Sequence, residues 1–251
     1  MPILKRDDAE IYFEEFGSGY PLLLFAPGGM RSRMEMWHEP KDGPPRPWND
    51  WTEELASRYR VVAMDQRNAG RSRGAILAHH GWQTYAADHL ALMDHLGFKR
   101  FHTLGGCIGS SYCLKLCEIV PERVTAAVLQ NPIGLHPEFR NYFPESFAAW
   151  AKEQLTARPA LDTTAVEEFG RNMWKGDFVF SVTRKFVQRC SVPCLVLPGD
   201  DTPHPAATGA ELAMLLPNVE VIEKWKGPDH LDEQCEGVIA FLEKHTPAQG
   251  A

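Results

Sequence analysis

No apolar run in this sequence is long enough to cross a bilayer, which argues against a membrane-spanning chain. Lys/Arg blocks are also lacking. With a formal net charge of −7, that argues against a nucleic-acid binder. The start, "MPILKRDDAEIYF", has no apolar stretch before its acidic residues, so it does not read as a signal peptide. The expectation is a cytoplasmic protein in a reducing compartment. Cysteine is scarce: six residues at this length do not form a disulfide framework. Cys190 and Cys194 form a C-x3-C, and Cys113 and Cys117 are four apart, but no second half with His/Cys spacing follows either pair. They read as buried thiols, and no metal site is expected. Repeats and low-complexity tracts are absent too.

What is present is alternation. Short apolar runs alternate with amphipathic stretches, the pattern of a mostly parallel sheet with crossover helices, and the length allows one α/β domain over 1–251. Strands are expected at Glu10–Phe16, Leu22–Phe25, Val61–Met64, Phe101–Leu104, Thr125–Gln130, Cys194–Leu197 and Val219–Ile222. Helices are expected at Trp51–Arg58, Thr84–Leu96, Gly109–Val120, Ala206–Leu216 and Asp232–His245, with Gly97 ending the second. "GSGY" at 17–20 reads as a turn joining the first two strands at an antiparallel edge.

Two segments break the alternation. Met30–Asp50 is a long loop rich in Pro and Trp, and a loop of that length suggests function. The stretch 134–189 has helical spacing and many aromatics, and reads as a small helical cap inserted in the domain.

The stretch that carries chemistry is "TLGGCIGSS" at 103–111. Gly105 and Gly109 flank Cys107 at the ±2 positions, between an apolar run and a run with helical spacing. A tight strand-to-helix turn lifts its central side chain above the sheet and requires small residues two positions away. Ser110 and Ser111 lack such flanking glycines, so Cys107 is the candidate nucleophile.

This pattern resembles the α/β-hydrolase fold superfamily. The resemblance implies a mostly parallel central sheet flanked by helices, and the chain order nucleophile, acid, histidine. Carried onto this sequence, it implies Asp201 in "LVLPGDDTPHP" as the acid, with Asp200 as the alternative, and His230 in "KGPDH" as the histidine. His204 in the acid loop is a further candidate for contact with the site. Asn131, where some families place the acid, has no charge to offer. "APGGMRS" resembles the oxyanion loop, with Gly29 or Met30 N–H paired with the N–H of Ile108. "MDQRNAGRS" resembles a structural turn of the family, with Asn68 where Gly is usual. Arg31 and Arg33 are candidates for holding a substrate carboxylate, and Trp37, Trp150 and Trp174 for lining its pocket.

A cysteine at this turn resembles the dienelactone hydrolases. It implies an acyl-thioester intermediate and a small ester or lactone as substrate, with no cofactor. Acyl transfer, carbon–carbon bond hydrolysis and ligand binding without catalysis remain competing readings, and the oligomeric state is open.

Overall fold

The protein is described by a computed structural model covering residues 2–38 and 45–248. Part of the long loop expected at 30–50, namely 39–44, lies outside the described residues. In chain order the strands are β1 (Ile3–Lys5), β2 (Ala9–Phe16), β3 (Tyr20–Phe25), β4 (Tyr59–Met64), β5 (Arg73–Gly74), β6 (Phe101–Gly106), β7 (Val124–Gln130), β8 (Cys194–Leu197) and β9 (Val219–Val221). The helices are α1 (Trp51–Glu54), α2 (Trp82–His95), α3 (Ile108–Ile119), α4 (Tyr142–Ala157), α5 (Thr163–Trp174), α6 (Arg184–Val187), α7 (Ala206–Leu215) and α8 (Leu231–His245). No helix among the described residues is long and apolar enough to cross a membrane.

The strand order is β1-β2-β4-β3-β6-β7-β8-β9, with the two-residue β5 paired to β2. From β4 to β9 every pairing is parallel; β1, β2 and β5 form an antiparallel edge. The edge is where the turn at 17–20 suggests, but its pairing differs. β2 and β3 are joined by that turn without bonding to each other, because β4 inserts between them.

Burial on both faces explains the short continuous apolar runs. Side chains alternate across the sheet. Leu22, Leu24, Val61, Ala63, Ala126, Val128, Leu195 and Leu197 face the layer holding α1 and α8. Leu23, Phe25, Val62, Met64, Ala127, Leu129 and Val196 face the layer holding α2 and α3. Three of the helix ends follow simple chemistry. Asp50 accepts from Thr52 N–H at the start of α1, and Asp162 does the same from Thr164 at the start of α5. Gly97, with φ 78°, ends α2. α2 begins two residues earlier than expected, at Trp82. Thr84 is the third residue of the helix, its hydroxyl accepting from Gly81 N–H at 3.2 Å.

Between β7 and β8 the segment read as a cap holds α4, α5 and α6. Phe147, Trp150 and Phe169 pack together in its interior. Phe143, Trp174 and Phe180 form a second aromatic group, nearer the sheet ends. The "MDQRNAGRS" turn is tied down by Asp65, which accepts from the N–H groups of Met34 and Arg71. Asn68 adopts φ 61°, the left-handed conformation that Asn tolerates better than most residues.

Candidate active site

β6 delivers Cys107 into a strained turn, at φ 58° and ψ −121°, and α3 starts at the next residue. The strain persists because the surroundings over-determine it. A Cβ on Gly105 would lie 2.2 Å from the Gly109 carbonyl carbon, and one on Gly109 would lie 2.6 Å from the Phe25 oxygen. Neither space can hold a side chain. Ser110 fastens the turn from within, its hydroxyl hydrogen-bonding Gly105 O at 2.9 Å and Gln130 O at 3.0 Å. Cys107 N–H donates to the same Gln130 oxygen at 3.0 Å.

The thiol opens into a cavity of about 330 Å³. Its floor is Gly28–Met30 and Gly106–Cys107; its walls include Trp48, Tyr142, Phe143, Ser146 and Trp174, and Asn131 and His204 complete the lining. Among the described residues, His204 is the only ionisable lining group besides Cys107 and Tyr142.

His204 and Asp201 form a closed unit in the loop after β8. Asp201 Oδ1 lies 2.6 Å from His204 Nδ1 and accepts from His204 N–H at 3.1 Å. The backbone closes the turn as well, His204 N–H donating to Asp201 O at 3.1 Å. This leaves Nε2 as the free edge of the ring. It is buried and, in the resting arrangement, makes no aligned hydrogen bond. The Cys107 thiol is near enough that each group shifts the other. Burial pushes the thiol's pKa up, but His204 and the backbone N–H groups of Gly28 and Ile108 outweigh it, and the net shift is downward. Burial likewise opposes charge on the imidazole, but the Cys107 sulfur and Asp201 outweigh it and raise its pKa. Each group thus favours the charged form of the other.

Asp200, the other acid candidate, forms an ion pair with Lys226. The structure does not bring His230 to Cys107. His230 sits in the short 3₁₀ turn Pro228–His230, a third exposed, with Nδ1 3.6 Å from Glu233. That turn is bound instead to the end of the long loop. Gly227 N–H donates to Pro47 O at 2.9 Å, and the Asn49 amide donates to Leu231 O at 2.7 Å. From these two segments it is Trp48 that reaches the cavity wall.

The other expected residues divide. The backbone N–H groups that act on the Cys107 sulfur are those of Ile108 and of Gly28, one residue before Gly29. Gly28 and Gly29 both have positive φ, 117° and 57°, so the loop bends its amides inward. Gly29 and Met30 line the cavity floor. Trp174 lines the cavity; Trp150 is buried in the cap, and Trp37 packs beneath Gly106, where a Cβ would lie 2.8 Å from its ring. Arg31 and Arg33 face a separate groove, where Arg31 holds Glu153 with two bonds of 3.1 and 2.7 Å. The wall residues Trp48, Tyr142, Phe143 and Ser146 carry no local motif, and only the packing of the cap reveals them. His204 did carry one: three residues after an aspartate and between two prolines, it shares a tight turn with its own acid.

Comparison with known proteins agrees with this architecture. Among curated sequences, a proline iminopeptidase from Xylella fastidiosa is 30% identical over 183 residues, covering 68% of this chain and 53% of that protein. The chain spans about half the length of the curated relatives it matches. Among solved structures, an enol-lactonase from Burkholderia xenovorans LB400 superposes with a TM-score of 0.69 at 19% identity, covering 96% of this chain and all of that one. MGS-M2, an alpha/beta hydrolase enzyme from a Medee basin deep-sea metagenome library, gives a TM-score of 0.73 at 14% identity, with full coverage of both chains. At these identities the structural likeness concerns the fold. The family model described as alpha/beta hydrolase fold matches residues 21–170, more than half the sequence. The chain belongs to the α/β-hydrolase fold family.

Proposed function

We propose that the protein is a hydrolase of small, uncharged carboxylic esters or lactones that works through an acyl-thioester on Cys107. In this reading His204 is the general base and acid, and Asp201 orients it. The observation that carries the reading is the Asp201–His204 pair, its free Nε2 edge buried beside the same cavity as Cys107, a thiol of lowered pKa at a strained strand-to-helix turn.

The chemistry follows from that geometry. The Cys107 thiolate attacks the substrate carbonyl carbon and forms a C–S bond, while the carbonyl oxygen takes the negative charge. Gly28 and Ile108 N–H groups, already turned toward the sulfur, are the donors for that oxygen. The N-terminus of α3 adds its dipole at the same point. His204, protonated at Nε2, gives its proton to the departing alkoxide, and the C–O bond breaks. A water then enters. His204 Nε2 takes its proton, the hydroxide adds to the thioester, and thiolate leaves as the carboxylic acid forms. Asp201 stabilises the charged ring and holds Nδ1 protonated throughout.

A thiolate is a far better leaving group than an amine. Esters and lactones therefore suit this site better than amides, even though a sequence relative is named as an iminopeptidase. The enol-lactonase among the structural neighbours, and the cysteine shared with dienelactone hydrolases, support an ester or lactone. The cavity of about 330 Å³, walled by Tyr142, Phe143, Trp48 and Trp174, favours a compact apolar acyl group.

A panel of aryl esters and lactones tests the reading, with Cys107→Ala and iodoacetamide-treated enzyme as controls. Turnover abolished by one equivalent of label and absent in the alanine variant supports it. Undiminished turnover in Cys107→Ala sinks it.

A further inference from the structure

Arg31, Arg33, Arg73 and Arg158 converge on one groove of about 400 Å³, between the loops after β3 and β4 and helix α4. Four guanidiniums in one groove is a notable concentration in a chain of net charge −7. Their partners are unequal. Arg31 is neutralised by Glu153. Among the described residues Arg33 pairs only with Glu35, at 3.9 Å, and Glu35 is also held by Arg71. Arg73 and Arg158 form no ion pair among the described residues. Arg73 donates to the carbonyls of Gly70 and Ser72, both at 2.7 Å. Arg158 donates to Gly74 O at 3.0 Å and to the Gln154 side chain at 2.6 Å. The bond to Gly74 brings the Arg158 head beside Arg73, its sequence neighbour. Burial, and then Arg73, lower the pKa of Arg158, so the folded protein bears a cost to keep both charges here.

A like-charge pair held against a cavity by carbonyl bonds is not explained by the stability of the fold. Carbonyls satisfy the guanidinium N–H groups they meet, but they do not neutralise charge. Each planar fork still has N–H groups to offer a bidentate acceptor. Among the described residues only Glu153 contributes a carboxylate to the groove walls, and it is already committed to Arg31.

We propose that this groove binds a compact polyanion of the pyrophosphate class, held by Arg73 and Arg158, with Arg33 as a third contact. A singly charged carboxylate would neutralise one guanidinium and leave the others. Two linked phosphates present enough oxygens for several forks at once. The groove is distinct from the Cys107 cavity, but the two share supports. Arg31 follows directly on Gly28–Met30, and α4 supplies Tyr142 and Phe143 to one cavity and Glu153 and Gln154 to the other. The polyanion is therefore seated behind the same loop and helix that shape the catalytic pocket.

The test is calorimetric titration of the full chain with inorganic pyrophosphate, at constant ionic strength set by sodium chloride. Orthophosphate is the comparison ligand. Pyrophosphate should bind at least tenfold more tightly than orthophosphate. Arg73→Gln and Arg158→Gln should each weaken it about tenfold or more, while Cys107→Ala leaves it unchanged. Thermal melting gives a second readout that does not depend on activity. Pyrophosphate should raise the wild-type Tm and fail to raise that of the Arg73→Gln/Arg158→Gln double variant. Pyrophosphate heats no larger than those of added chloride, or equal affinity in the double variant, would overturn the proposal. Because Cys107→Ala is assayed in the same way, failure here is separable from failure of the catalytic reading.

Discussion

Asp201 Oδ1 lies 2.6 Å from Nδ1 of His204, three residues later in the same turn. In the proposed mechanism acid and histidine thus come from one loop, after β8, rather than from two successive loops. The arrangement fixes the ring by a local turn. It also divides two adjacent aspartates. Asp201→Asn should lower kcat by about ten- to a hundredfold, less than for a fully buried acid because Asp201 is half exposed and water screens it. Asp200→Asn, which loses only an ion pair with Lys226, should stay within about threefold. Steady-state rates on one aryl ester decide between the two.

The pH dependence follows from the paired shifts. The thiol's pKa lies below its ordinary value of 9.0, so its thiolate persists as pH falls below 9 and is lost only through the lowered pKa. Carboxamidomethylation of Cys107 should therefore stay fast into the range where a free thiol has slowed. In His204→Ala the imidazole contribution is gone and burial pushes the pKa up, so the midpoint of the rate profile should move to higher pH. Rates of iodoacetamide labelling against pH, read by mass spectrometry, measure this shift directly.

The strain at Cys107 carries its own prediction. With φ 58° and ψ −121°, a Cβ is unfavourable at this position and glycine is not. Cys107→Gly should be more stable than Cys107→Ala by about 1 kcal/mol, although both are inactive. Denaturant unfolding of the two variants checks this, and equal stability would mean that the turn is unstrained.

Arg67 is the fourth case. Its guanidinium, nearly inaccessible, bonds Asp88 at 2.8 Å and Asp8 at 2.7 Å, which ties α2 to the antiparallel edge. Removing it leaves Asp88, itself 1% exposed, with only Arg6 as a cationic partner among the described residues. Arg67→Ala should cost about 3–5 kcal/mol of stability. A urea unfolding curve measures it.

Much of this architecture was legible in the residue pattern. The strand Cys194–Leu197 falls where its apolar run does, and the glycines around Cys107 announce the turn before any coordinates. What escaped was either too short or too distant to leave a pattern. β1 and β5 have three and two residues, below the length at which alternation can be recognised. The insertion of β4 between β2 and β3 is a long-range pairing that the turn at 17–20 cannot encode. His230 satisfies the expected chain order, yet order alone does not fix which histidine reaches the sulfur. The Pro47–Asn49 segment binds the His230 turn, and Trp48 takes the wall position. That contact joins residues some 180 positions apart.

The most direct test is a single-turnover acylation of wild type, His204→Ala and His230→Ala with an activated aryl ester, followed by intact-mass and peptide analysis. The account predicts a stoichiometric acyl group on Cys107 in wild type. It predicts the same rate within about threefold in His230→Ala, and a rate about a thousandfold lower in His204→Ala. Full-rate acylation in His204→Ala with loss in His230→Ala, or an acyl group on any residue other than Cys107, would contradict it.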